Sequence, residues 1–201
     1  MSRSLALLIA CALLQGCANL PVGSDGLSQE ERRLRLEAVD RWQVRGRLAV
    51  DTGQRAFQGS FNWLQEQEAL TLSIRGPLGG GVLQISGTPE MLTLRARGES
   101  RVLTDPETEL SELVGWWLPV ASLSAWLRGL EDETFPAQTQ VAADGTLESL
   151  EQRLWRLDFV GYQVASGLLV PRRIDLEHGD LKLRATIDSF MPMSSPASAL
   201  N

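Results

Sequence analysis

The chain is short of the side chains that usually carry catalysis. Its 201 residues include one histidine, one tyrosine, two cysteines and a single lysine, Lys182. His178 stands beside Gly179 in a turn pattern and reads as a solvated turn residue, not a base. There is no Gly-x-Ser-x-Gly elbow, and no His/Cys cluster stands at metal-binding spacing. "GPLGGG" at 76–81 lacks the Lys-Ser/Thr pair that a phosphate loop needs. The expectation is therefore no enzyme, no cofactor, no metal and no catalytic residue. Acidic residues outnumber basic ones, 25 to 19, for a net charge of −6, which argues against nucleic acid as a partner.

Cysteine is scarce in an informative way. Arg3 followed by the apolar run Leu5–Leu14 is a targeting signal, too short for a permanent membrane span. Cys11 lies inside it. Cys17 follows directly in "LLQGC", which resembles a bacterial lipobox. An ordinary secretory signal with an incidental cysteine is the alternative. Removal of residues 1–16 leaves Cys17 as the lone thiol, so no intramolecular disulfide is possible. Lipid on Cys17 gives that thiol a purpose, and several acyl chains give a stable anchor. Residue 18 is Ala, not Asp, which under the enteric sorting rule sends a lipoprotein to the outer membrane. Residues 17–27 read as a lipidated N-terminus and flexible tether, 28–190 as one domain, and 191–201 as a disordered tail.

What the chain does have is alternation. "SQEE" at 28–31 is a capping box, so a helix is expected from Gln29 to Arg41. From Trp42 the period becomes two. Leu48 and Val50, then Phe57, Phe61 and Trp63, then Leu72 and Ile74 fall on one face. Leu83 and Ile85, then Leu92 and Leu94, continue it. The short polar turns between these runs mark antiparallel hairpins. "TDPE" at 104–107 predicts a second helix, capped by Thr104, bearing Leu110, Leu113, Val114 and Trp117 and ended by Pro119. A third carries Leu123, Trp126 and Leu127. "EDETFPAQTQ" reads as loop. Strands resume with Trp155, Leu157 and Phe159 opposite Arg156, Asp158 and Tyr162, then with a hairpin around Gly179. The expected fold is mainly β with inserted helices, about ten strands in one antiparallel sheet. Periodicity leaves open whether the covered face encloses a packed core or a hollow.

Several stretches resemble the LolB family of outer-membrane lipoprotein receptors. They are "VRGRLAV", "GSFNW", "LSIRGPLGG", "LPVASLSAWLRG", "WRLDFVGY" and "LVPRRIDLEHGDLKLRATI", in that order from Trp42 to Phe190. Trp63, Trp126 and Trp155 stand where the family usually has tryptophan. Phe190 replaces a frequent tryptophan, and Gly79–Gly81 gives the bend more glycine than usual. The resemblance implies a curled, unclosed half-barrel with a helical lid over an apolar cavity. It implies acceptance of lipoproteins from the periplasmic carrier LolA and their insertion into outer-membrane lipid by a monomer facing the periplasm. It also implies a membrane-insertion loop at Gly76, Pro77, Leu78 and Gly79. Without it, Leu78 would be read as packing beneath its own hairpin. The acyl-chain cavity is expected to be lined by Leu48, Val50, Phe57, Phe61, Trp63, Leu72, Ile74, Leu83, Ile85, Leu92, Leu94, Leu113, Trp117, Leu123, Trp126, Leu127, Trp155 and Phe159. A non-transferring envelope lipoprotein with a filled core is the rival reading.

Overall fold

The computed structural model describes residues 27–76 and 82–193. The signal segment, Cys17 and most of the tether lie outside the described residues, as do Pro77, Leu78 and Gly79 of the bend and the tail from residue 194. Helix α1 (Gln29–Glu37) opens on the expected capping box. The Ser28 side chain accepts from Glu31 N, and the Glu31 side chain accepts from Ser28 N. The helix is shorter than expected. Arg41 already belongs to β1 (Arg41–Asp51), which pairs on both sides, and a helix through residue 41 would forfeit that pairing.

β1 leads into β2 (Ala56–Glu66), β3 (Ala69–Arg75), β4 (Val82–Thr88), β5 (Met91–Ala96) and β6 (Glu99–Leu103). Helices α2 (Pro106–Val114) and α3 (Val120–Leu127) follow. Then come β7 (Ala137–Val141), β8 (Leu147–Gln152), β9 (Trp155–Phe159), β10 (Tyr162–Ala165), β11 (Leu168–Pro171), β12 (Arg173–His178) and β13 (Leu181–Pro192). Eleven strands form one antiparallel sheet in the order β6-β5-β4-β3-β2-β1-β13-β12-β9-β8-β7. The edges β6 and β7 do not pair with each other, so the sheet is not closed into a barrel. Its apolar face meets α2 and α3.

Four local expectations are corrected. First, β7 lies in the stretch read as loop: its "AQTQV" is polar, and its strand character comes from pairing with β8. Second, β10 and β11 form a separate two-stranded ribbon. Tyr162 there is not on a wet face: its ring packs 6.3 Å from Phe159, and its hydroxyl donates to Leu147 O. Burial raises the Tyr162 pKa well above its ordinary value.

Third, α2 ends at Val114 with Gly115 left-handed at its C-cap (φ 86°), before Pro119 is reached. Fourth, Thr104 caps nothing, because Pro106 takes the first helical position and keeps Asp105 non-helical. Glu109 instead accepts from Asp105 N at 3.1 Å and Thr104 N at 2.8 Å. Those backbone bonds, Asp105 foremost, hold its carboxyl below the usual 4.5. A lowered folded-state pKa gives stability that is present above the unfolded value and is lost as pH falls through the folded one. Glu109→Gln is expected to lower the melting temperature near neutral pH. The difference from wild type should shrink between neutral pH and an acid pH below the folded-state value, where Glu109 itself is protonated. An equal difference at both pH values would show that ionised Glu109 does not hold α2.

One irregularity sets the core. Arg45 pairs with Ser189 but Gly46 with Ile187, so Asp188 is an extra residue in β13. The slip returns Phe190 to the inner face, where its ring stacks 5.5 Å from Trp42. Trp42 stacks in turn on Trp63 at 6.2 Å.

Candidate functional site: an apolar cavity under two helices

Between the sheet and α2–α3 lies a cavity of about 190 Å³ whose lining side chains are all apolar. The sheet contributes Leu48, Val50, Phe61, Trp63, Leu72, Ile74, Leu83, Ile85, Leu94, Trp155, Ile174, Leu176, Leu183 and Ala185. The helices and the link between them contribute Leu110, Leu113, Val114, Trp116, Leu118, Leu123, Trp126 and Leu127. Strand alternation aims every second residue inward, which is why so many adjacent strands converge on one space.

Two devices keep the wall apolar. Trp63 and Trp126 direct their indole N–H groups to Gln65 and Gln152, each at 2.9 Å. Gln152 is buried yet satisfied: its oxygen accepts from Trp126 and Asp132 N, and its amide donates to Asp132 O and Phe135 O. The second device is Gly46. A Cβ there would lie 2.2 Å from Thr186 O and 2.7 Å from the Phe61 ring, so only glycine lets Phe61 lie in the wall.

A recess of about 980 Å³ adjoins the cavity and shares Leu48, Val50, Ile74, Leu83, Val114 and Trp116 with it. It reaches Gly76 and the turns holding Arg55, Arg97 and His178–Asp180. Antiparallel order puts these turns at one end of the sheet, together with the β3–β4 connection that contains the expected loop. His178 is more than a free turn residue: its ring stacks on Trp155 at 5.2 Å, and its Nδ1 lies 2.9 Å from Leu154 O.

The lid is tied down by a polar cluster. Arg153 sits in the two-residue β8–β9 turn, where it and Leu154 both have positive φ (52° and 67°). Its guanidinium meets Glu107 of α2 in two bonds, 2.8 and 2.6 Å, and lies 4.0 Å from the centre of the Phe135 ring. Glu107 also accepts from Ala121 N, which joins α3 to the same point.

Most of the residues expected to line a cavity are brought together here, and four are not. Phe57 lies in the outer recess, 40 % exposed. Leu92 is fully buried away from the hollow, and Phe159 packs beside Tyr162. Trp117 lies under Arg153 at 5.5 Å. Sequence reasoning missed Leu110, Val114, Trp116, Leu118, Ile174, Leu176, Leu183 and Ala185 as lining. Leu110 and Val114, and the four residues of β12 and β13, carry the right periodicity, which was the available signal. Trp116 and Leu118 lie between helices and had none.

Residues 40–190 match the family model described as "Outer membrane lipoprotein LolB". The chain belongs to the LolB family. Proteins named "Outer-membrane lipoprotein LolB" are similar along most of their length. That of Pseudomonas savastanoi pv. phaseolicola is 31% identical, covering 90% of this chain and 92% of the relative. The Pseudomonas fluorescens relative is 32% identical with the same coverage. A solved LolA superfamily protein from Nitrosomonas europaea superposes with a TM-score of 0.54 at 11% identity, covering 87% of this chain and 98% of the other. That likeness is one of fold. The expected LolB-type architecture, an open antiparallel sheet with helices across it, is the architecture observed.

Proposed function

We propose that this LolB-family chain is an outer-membrane receptor that accepts lipoproteins from a LolA-like periplasmic carrier and inserts them into the outer membrane. Cargo acyl chains enter the apolar cavity. The protein acts as a monomer, anchored by lipid on Cys17, with its domain facing the periplasm. The observation that carries this reading is a hollow walled only by apolar side chains. At about 24 cal/mol per Å³, leaving about 190 Å³ unfilled forgoes up to roughly 4–5 kcal/mol relative to a packed core. A module that merely held its shape would gain by filling it.

Acyl burial contributes about 0.8 kcal/mol per methylene, so a lipidated protein does not cross water unaided. Transfer needs no nucleotide if affinity rises at each step. The cavity alone is smaller than ligand sites of about 300–1,000 Å³, and the adjoining recess extends it toward the hairpin end. In this reading Gly76, Pro77, Leu78 and Gly79 form the insertion loop, and Leu78 meets bilayer or emerging acyl chains.

The test is transfer of an acylated cargo from purified carrier, with a fluorescent fatty acid reporting uptake. Burying one leucine is worth about 1.5–3 kcal/mol, so Leu78→Glu should reduce delivery to vesicles tenfold or more while uptake stays near wild type. Full delivery by that variant would remove the loop assignment. A folded wild-type protein that takes up no lipid would remove the cavity assignment.

A further inference from the structure

The outer face of the sheet divides in two by charge. On β8, β9, β12 and β13 each cation stands by a carboxylate. Arg184 and Arg173 meet Asp175, Arg156 meets Asp158 and Glu151, and Lys182 meets Glu177. On β1 to β5 the pattern changes. Arg45, Arg47, Arg75 and Arg95 are exposed there. Of these four only Arg47 has an acidic partner among the described residues, the bulge residue Asp188 at 3.0 Å; Arg41, at the start of β1, meets Glu66.

These arginines are also spaced for a purpose other than pairing. Arg47 and Arg75 both neighbour Ser60, one strand apart on either side. Arg45 is followed across the sheet by Asn62 and Ser73. Neighbouring strands are about 4.8 Å apart and alternate residues about 7 Å, so three guanidinium stems rise around short hydroxyl and amide side chains. The result is a recess of about 490 Å³ bordered by Arg45, Arg47 and Arg75, with Ser60, Asn62 and Ser73 between them; Asp188 also lines it, held by Arg47, which leaves the Arg45 and Arg75 charges uncompensated among the described residues. Cations around a floor of small hydrogen-bonding groups suit an oxyanion with several acceptor oxygens.

We infer that this recess binds the phosphates of membrane lipid headgroups. The membrane is favoured as the source by position. Arg75 ends β3 and precedes Gly76, so the recess adjoins the connection proposed to meet the bilayer. For the choice of source, the inference rests on that proposed function. It also meets an electrostatic need, because a chain of net charge −6 is repelled by anionic headgroups unless a local patch opposes that field. A basic residue close to an anionic surface strengthens binding about fivefold, so three together contribute roughly a hundredfold at moderate salt.

The experiment is co-sedimentation of the full chain carrying Cys17→Ala with phosphatidylcholine vesicles, with and without phosphatidylglycerol. Phosphatidylglycerol should strengthen binding, and high salt should abolish the gain. Arg45→Gln, Arg47→Gln and Arg75→Gln combined should weaken binding to the anionic vesicles about a hundredfold. Arg156→Gln with Arg184→Gln, on the paired half of the same face, should not. Circular dichroism melting and fatty-acid uptake check that each variant is folded. Wild-type binding by the triple variant would overturn the inference. So would inorganic phosphate binding at the recess without any preference for anionic vesicles, which would make it a site for a soluble anion. Loss of fatty-acid uptake with vesicle binding intact would count against the cavity alone.

Discussion

Arg153→Ala is expected to lower the free energy of unfolding by about 2–3 kcal/mol, between the cost of removing one partner from a fully buried ion pair and that of breaking an exposed one. Both side chains are mostly covered, 12% and 17% exposed. Among the described residues Glu107 would keep only the Ala121 N–H, while the Phe135 and Trp117 rings would lose the guanidinium lying over them. Positive φ does not confound the comparison, because arginine and alanine carry the same Cβ strain at φ 52°. Arg153→Lys should recover part of the loss, since it keeps the charge but not the planar fork. Denaturant titration measures both. α2 and α3 are joined at this point to the β8–β9 turn, so the fatty-acid probe should also exchange faster in Arg153→Ala. A change below about 1 kcal/mol, the range of exposed ion pairs, would show that the cluster does not hold the lid.

Leu72→Trp is expected to abolish acyl uptake without lowering stability. Leu72 sits at the middle of the wall, opposite Trp63 on β2 and Ile85 on β4, and its side chain borders the hollow. An indole there would occupy space that is now unfilled, where overpacking a solid core would cost about 1–3 kcal/mol. Leu72→Ala is the counterpart: it enlarges the hollow, should keep uptake, and should cost about 2–5 kcal/mol. Melting curves and fatty-acid titration separate the two effects. If Leu72→Trp melts several degrees lower and still binds lipid, the space is not the binding site.

Much of the architecture was legible because the governing forces are local or periodic. The Ser28–Glu31 box needs only four residues, and its two hydrogen bonds form as read. Inward alternation predicted most of the cavity wall, because a strand has only two faces. Two of the misreadings fall where a distant partner decides, whereas the ends of α2 turn on the local geometry of Pro106 and Gly115. β7 has no apolar pattern, and β8 makes it a strand. α1 stops early because β2 pairs with Arg41, and β2 and β13 both pair with the residues after it.

By itself, the sequence determined the antiparallel class, the helical insertion and the apolar face. Each follows from side-chain period or from composition. Tertiary structure alone decided that the apolar face encloses unfilled space, since volume depends on how far α2 and α3 stand from the sheet. It alone decided the Asp188 bulge, the Arg153 tie and the recess bordered by Arg45, Arg47 and Arg75, because each depends on which residues face one another across the strands.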